Sequence, residues 1–324
     1  MNKNIAIIEE GGAAGEVDLQ VLKVIRAVAE QYDHHFNISR VSRETAIPGL
    51  PASGQDAILL SSTGVQQFIE AAGPLLVTVQ SVVVYPPLQH LSPLKARHSE
   101  GLNLLLYQHQ VPASNESDRL RIAHSALQQA ISRRKKITVM VHPEVRADHA
   151  WPAIFEKTEA AAREVTIEEI PVQEAWDRML QQPAGFDTLI AGASAGDYLF
   201  RLAATITGTR FMIPSVRVAS ATPFFGPAFG FELQQESARN HSNPVGAILS
   251  TAMMMDYFNL HEEALIIRTA VNWTLLHGFV AKDIDPVNNY STNTIGDLIS
   301  DFIRGTIPGF AKGENMALQK STII

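Results

Sequence analysis

Four side chains with ligand chemistry crowd one short stretch of the sequence: His142, Glu144, Asp148 and His149. Two imidazoles and two carboxylates are a donor set that zinc accepts. Their spacing argues for something plainer. A helical HExxH site brings its histidines onto one face, whereas Pro143 and the irregular intervals here describe a polar loop between a strand and a helix. A second pair, Asp197 and Arg201, stands four residues apart in a helical pattern. The two side chains therefore share a helix face and are expected to form an ion pair. Asn243 precedes Pro244 at the start of another helical pattern, where an asparagine side chain can cap the helix.

The elements that must position these groups alternate. Ile5 to Ile8 is a short apolar run suited to a buried parallel strand, followed by Gly11, Gly12 and Gly15 as a turn. A helix is predicted from about 16 to 32, with Val17, Leu19, Leu22, Val24, Ile25 and Val28 as its apolar stripe. Strands follow at 56–60, 81–85 and 102–107, the second of these stopped by Pro86-Pro87. Helices at 119–132, 151–163 and 173–180 then alternate with strands at 137–141, 165–170 and 186–191. Such alternation implies a parallel or mixed sheet covered by helices. The last third is helical: a helix from Pro244 through Met253, Met254 and Met255, a long one from His261 to His277 before Gly278, and one from Ile295 to Arg304 before Gly305. The methionine run reads as core filling.

Composition excludes several functions. The 324 residues carry a formal net charge of −7, which opposes a nucleic-acid footprint. The one basic run, Arg133 to Lys136, is expected to be a solvated helix C-terminus, where cations favour the helix dipole. There is no cysteine, so disulfides, thiolate metal sites and a cysteine nucleophile are all excluded, in keeping with a reducing cytoplasm. No apolar run is long enough to span a bilayer, and the start of the chain lacks the pattern of a secretory signal. A cytoplasmic protein without membrane or nucleic-acid partners is expected.

Several segments resemble one family in order along the chain. Asn4 to Val17 resembles a strand meeting a GDGIGPEV turn. Asp56 to Leu60 and Tyr85 to Lys95 follow at matching intervals. Phe186 to Ile190 with Gly196-Asp197 resembles FDVIVT…YGDILSD, Ser242 to Met255 resembles IANPIATILSAAMML, and Thr292 to Asp297 resembles a closing TxxMGD. The family is that of the isocitrate and isopropylmalate dehydrogenases. The resemblance implies two α/β domains sharing a mixed sheet, residues 1–86 plus 221–324 forming an outer, cofactor-side domain and 87–220 an inserted domain that makes a homodimer. It also implies an interdomain active site that borrows residues from the partner subunit.

The family reaction oxidises a 2-hydroxy acid by hydride transfer to a nicotinamide and then releases carbon dioxide. Arginine forks hold the substrate carboxylates, aspartates hold a divalent cation, and a lysine and a tyrosine handle protons. Carried onto this chain, the arginine positions fall on Gln80, His90 and Gln108, and the lysine on Pro143. The partner-side aspartate falls on Gln173. Of the two aspartates on one helix face, Asp197 is kept and the second is Arg201. The tyrosine-bearing arm is shortened to about 111–117. The adenine loop corresponds to 226–240, where Phe224 to Phe229 forms an aromatic loop that would either plug the cofactor pocket or pack on a partner. Asn243 and Asp283 match an adenine-side and a ribose-side residue. His90, His98 and His109, with Gln80 and Gln108, would line a polar, nearly neutral cleft.

Magnesium is therefore not expected to bind, and NAD(P) only through Asn243 and Asp283. The leading expectation is a non-catalytic or repurposed relative of these dehydrogenases. Two alternatives stand beside it. One is a diverged NAD(P)-dependent dehydrogenase or lyase on a small, less acidic substrate, with His90 facing Asp197. The other is a regulatory partner of an active paralogue.

Overall fold

The computed structural model describes residues 1–9, 12–42, 54–61, 75–110, 115–145, 148–158, 164–219, 222–229 and 240–306. Gly11, most of the shortened arm, most of the adenine-loop segment and the end of the helix predicted over 151–163 lie outside them. In chain order the elements begin with β1 (Asn2–Glu9), α1 (Gly12–Tyr32), β2 (His35–Ser42) and β3 (Ala57–Leu60). There follow β4 (Val77–Val83), β5 (Asn103–His109), α2 (Glu116–Ile131), β6 (Lys136–Val141), α3 (Trp151–Glu156) and β7 (Thr166–Pro171). Next come α4 (Val172–Gln181), β8 (Thr188–Gly192), α5 (Ala193–Thr207), β9 (Pro214–Val218) and β10 (Phe224–Pro227). The chain closes with α6 (Val245–Tyr257), α7 (His261–Leu276) and α8 (Thr292–Arg304).

The chain forms two compact units, residues 1–72 with 221–324, and residues 73–220. The first crossing comes before β4 rather than after residue 86, because β4 pairs antiparallel with both β5 and β9 and so belongs with the inserted stretch.

In the first unit the strands run β2-β1-β3-β10, and all the pairings are parallel. Ile5 to Ile8 are buried on both faces of β1, as a continuous apolar run in a covered parallel strand must be. The glycine turn is displaced: α1 already begins at Gly12, and Gly15 lies in its first turn. Its inward stripe is Val17, Val21, Val24, Ile25 and Val28, whereas Leu19 is 44% exposed. At 100° per residue Leu19 lies on the side opposite Val17. Helix α8 comes close to α1 at Gly296, where an added Cβ would stand 2.3 Å from Gln20 Oε1. Gln20 Nε2 donates to Asn293 Oδ1 at 2.6 Å beside it. Met254 and Met255 are fully buried in α6.

Phe224 and Phe225 are corrected from a loop to a strand. They lie in β10, in register with Ile58 and Leu59 of β3, and are 2% and 0% exposed. Their rings are core and are not offered to a cofactor pocket or a partner.

In the second unit the order is β9-β4-β5-β8-β6-β7, with β4 antiparallel among otherwise parallel pairs. The strand expected at 81–85 starts earlier, at Val77, so Gln80 is a buried strand residue rather than part of the approach to one. The basic run is solvated only in part. Arg133 Nε donates to Asp187 Oδ1 at 2.8 Å, the Arg134 amide donates to Asp187 Oδ2 at 3.0 Å, and Lys136 pairs with Glu168 at 2.9 Å. With Asp187 1% exposed, Arg133 and the Arg134 amide tie the end of α2 to the start of β8, while the Arg134 and Lys135 side chains stay exposed as a solvated helix end requires.

Candidate functional site

Two buried polar residues of the second unit face each other on adjacent strands. Gln80 on β4 and Gln108 on β5 are 4% and 9% exposed, and Gln80 Nε2 donates to Gln108 Oε1 at 2.7 Å. A buried amide must find a partner, and here the two glutamines find each other. One hydrogen bond leaves Gln80 Oε1 and Gln108 Nε2 without a partner. Helix α5 covers Gln108 at Gly196, where a Cβ would lie 3.2 Å from Gln108 Cγ. Arginine at these two positions would offer fixed charges; this pair offers dipoles.

One residue further along β5, His109 faces a different set of partners. It is 3% exposed and accepts a hydrogen bond at Nε2 from Trp151 Nε1, at 3.3 Å, with the rings edge-on at 5.0 Å. That bond places the ring proton on Nδ1. Asp148 Oδ1 stands 3.8 Å from Nε2, too far for a hydrogen bond. Burial, and then the positive charge of Arg119, bring the His109 pKa down to about 4. At neutral pH the contact with Asp148 is therefore not an ion pair.

Asp148 is 3% exposed and accepts the His142 amide at Oδ2, 3.0 Å away. Gly192 leaves room for it, since a Cβ there would be 3.1 Å from Oδ1. Burial raises the Asp148 pKa, opposed by the His142 amide and by Arg119. Arg119 is fully buried, with its guanidinium 5.2 Å from the centre of the Trp151 ring. Burial lowers its pKa and Asp148 opposes that. One buried cation and one buried anion thus share a pocket walled by an indole and an imidazole.

Arg119 and Trp151 were not among the residues expected to matter. The signal for Arg119 was present: with Ile122, Ala123 and Ala126 it occupies the i, i+3, i+4, i+7 face of α2, so an arginine stands in an apolar stripe.

Hydrogen bonds join residues at the two ends of the His142-to-His149 stretch. The Glu144 amide donates to His142 Nδ1 at 3.3 Å, and His149 Nε2 lies 3.3 Å from the Pro143 carbonyl oxygen. Among the described residues no three His, Asp or Glu side chains could together hold a metal ion. Pro143 and Gln173 are exposed, in a turn and in the first turn of α4. The three cleft histidines are not brought together. His90 is exposed in a 3-10 turn, His98 Nδ1 bonds the Gln181 carbonyl oxygen at 2.8 Å, and His109 is buried as described.

On α5, Arg201 Nε donates to Asp197 Oδ2 at 2.8 Å, with the two side chains 64% and 49% exposed. An exposed i, i+4 pair contributes about 0.3–0.5 kcal/mol. Asp197→Ala is accordingly expected to change unfolding stability by no more than about 0.5 kcal/mol, read from urea denaturation. A loss several times larger would mean that Asp197 has a partner beyond Arg201.

In the first unit, Asn243 is 2% exposed and occupied at both ends. Its Oδ1 accepts the Val245 amide at 3.0 Å, across the N-cap Pro244, and its Nδ2 donates to the Asp283 carboxylate at 3.1 and 3.2 Å. Desolvation raises the Asp283 pKa and the Asn243 bond opposes it. The structure brings these two residues together, but they satisfy each other.

A family model described as isocitrate/isopropylmalate dehydrogenase matches residues 108–299. A 3-isopropylmalate dehydrogenase of Bacteroides fragilis is 27% identical over an alignment of 357 residues that covers 94% of this chain and 99% of the relative. Another, of Buchnera aphidicola, is 30% identical over 252 residues, 69% of each chain. Among solved structures, an isocitrate dehydrogenase from Methylococcus capsulatus superposes with a TM-score of 0.72 at 16% identity, covering 93% of this chain and 99% of that one. At that identity the likeness is one of fold.

Proposed function

The chain belongs to the isocitrate/isopropylmalate dehydrogenase family, and from that premise we propose that it is a repurposed member, not competent for metal-dependent oxidative decarboxylation. The observation that carries the proposal is the Asp197–Arg201 pair. A hard divalent cation takes several oxygen ligands, and here the retained carboxylate has a guanidinium 2.8 Å from one of its oxygens. A cation on Asp197 would face that positive charge directly. These residues do not fit magnesium, and no step is derived through it.

The substrate side supports the same reading. Gln80 and Gln108 carry no charge to neutralise carboxylates, and their amides are engaged with each other. A general acid is equally lacking at Pro143, which has no side-chain proton. Nicotinamide binding through Asn243 would require breaking its bonds to Asp283 and Val245, so no hydride step is assigned either. The proposal extends to a cytoplasmic homodimer, supported by the cysteine-free composition and the family resemblance.

Titration with Mn2+ as a paramagnetic probe tests the metal half. No saturable site that depends on Asp197 is expected up to millimolar cation. A site lost in Asp197→Ala would overturn the proposal.

A further inference from the structure

Strand β9 brings a charged side chain onto the face that carries the glutamine pair. In the antiparallel register, Arg217 stands opposite Thr78 of β4, and Thr78 stands opposite Gln108 of β5. Residues directly opposite one another in adjacent strands point to the same face, so Arg217, Thr78 and Gln108 form one polar row. Gln80, two residues on from Thr78, points the same way. Adjacent strands are about 4.8 Å apart, so Arg217 and Gln108 are anchored roughly 10 Å from each other. Thr78 stands between them, so a small ligand lying over the Thr78 side chain would be reached by the long guanidinium arm from one side and by the amide from the other.

Arg217 is an anomaly as a structural residue. Arg217 is half-buried as a residue, but its Nη1 is fully buried and has no hydrogen-bond partner among the described residues. Burial brings its pKa down to about 10, with no carboxylate among the described residues acting against it. Arg119, by contrast, has Asp148 to offset its burial. A buried cation without a counter-charge is costly unless something else supplies the charge. The glutamine pair beside it is incomplete in a complementary way. Whichever way round the two amides are assigned, their single mutual bond leaves one amide nitrogen and one amide oxygen without a partner among the described residues.

We propose that Arg217, Gln108 and Gln80 form a binding site for a small oxyanion that retains one O–H, hydrogen phosphate being the simplest. The ligand's charge compensates Arg217, one oxygen accepts the open amide N–H, and its hydroxyl donates to the open amide oxygen. The inference extends the reading above to the ligand class of the same glutamines. It rests on that reading only for their lack of charge, and equilibrium binding without cofactor or turnover tests it separately.

The probes are inorganic phosphate, sulfate and acetate, titrated by calorimetry into the purified full chain, with Tm followed in parallel. Phosphate is expected to bind and raise Tm, and sulfate, which has no O–H at neutral pH, to bind more weakly. Loss of one charge-assisted bond in Arg217→Met is expected to weaken phosphate at least about tenfold. The same variant should melt higher than wild type in anion-free buffer, since it removes an uncompensated buried charge. Gln108→Glu supplies the missing counter-charge inside the protein and is expected to abolish phosphate binding while raising Tm. No phosphate binding by wild type, or equal binding by Arg217→Met, would overturn the site. Sulfate binding as tightly as phosphate would overturn the acceptor role. An Arg217→Met variant less stable than wild type in anion-free buffer would show Arg217 to be structural and would also overturn the proposal.

Discussion

Trp151→Ala is expected to destabilise the protein by about 3–5 kcal/mol, the range for truncating a buried indole. The indole does three things at once. It fills volume at 1% exposure, it gives a ring face to the buried Arg119 guanidinium, and its Nε1–H is donated to His109. Alanine leaves a cavity beside a cation and removes the hydrogen bond at Nε2. Trp151→Phe separates these roles: it keeps a ring and loses the donor, so a smaller loss of about 1–2 kcal/mol is expected. Urea denaturation gives both values. A Trp151→Ala loss under 1 kcal/mol would show that the cluster does not hold the second unit together.

The second large effect is on acid stability. The folded pKa of His109, about 4, lies below the ordinary imidazole value of 6.5. The unfolded chain therefore binds a proton at this residue over a range where the folded chain does not. The contribution is fully present above pH 6.5, is lost as pH falls from about 6.5 to about 4, and does not change below that. A difference of this size corresponds to about 3 kcal/mol. Asp148 works the other way, because its raised folded pKa lets the native state take up a proton earlier as the pH falls. His109→Gln removes the imidazole term and keeps a group that can accept from Trp151. The variant's stability is expected to fall less steeply than wild type between pH 6.5 and 4, as read from urea midpoints at half-unit steps. Parallel curves would contradict the burial of a neutral imidazole.

The alternation of strands and helices was legible because buried parallel strands are written as continuous apolar runs. Ile5 to Ile8 and Ile137 to Val141 announce themselves in this way. Strand β2 did not, since His35 to Ser42 mixes charged, amide and hydroxyl side chains along an edge and shows no such run. Strands β9 and β10 are four or five residues long and bounded by prolines, which read as punctuation. The start of β4 was hidden by Thr78 and Gln80, polar residues inside a buried strand.

The candidate site was legible as chemistry lost more than as chemistry present. The Asp197–Arg201 pair follows from helical spacing alone, whereas the N-cap falls on Pro244 and Asn243 stands one residue before it. The partners of His109 do not, because Arg119, Asp148 and Trp151 reach it from a helix, a loop turn and a second helix that only the fold brings together. Arg217 is the sharpest case. A lone arginine between two valines in a short segment gives no signal until the register sets it in one row with Thr78 and Gln108.

The central claim is that this family member has left the family reaction. The most direct measurement is initial-rate production of NADH or NADPH by the purified full chain at micromolar enzyme. It would be supplied with magnesium, either nicotinamide cofactor, and 3-isopropylmalate or isocitrate. No turnover above a no-enzyme control is expected with any combination. Saturable, magnesium-dependent reduction of cofactor with either acid would contradict the account.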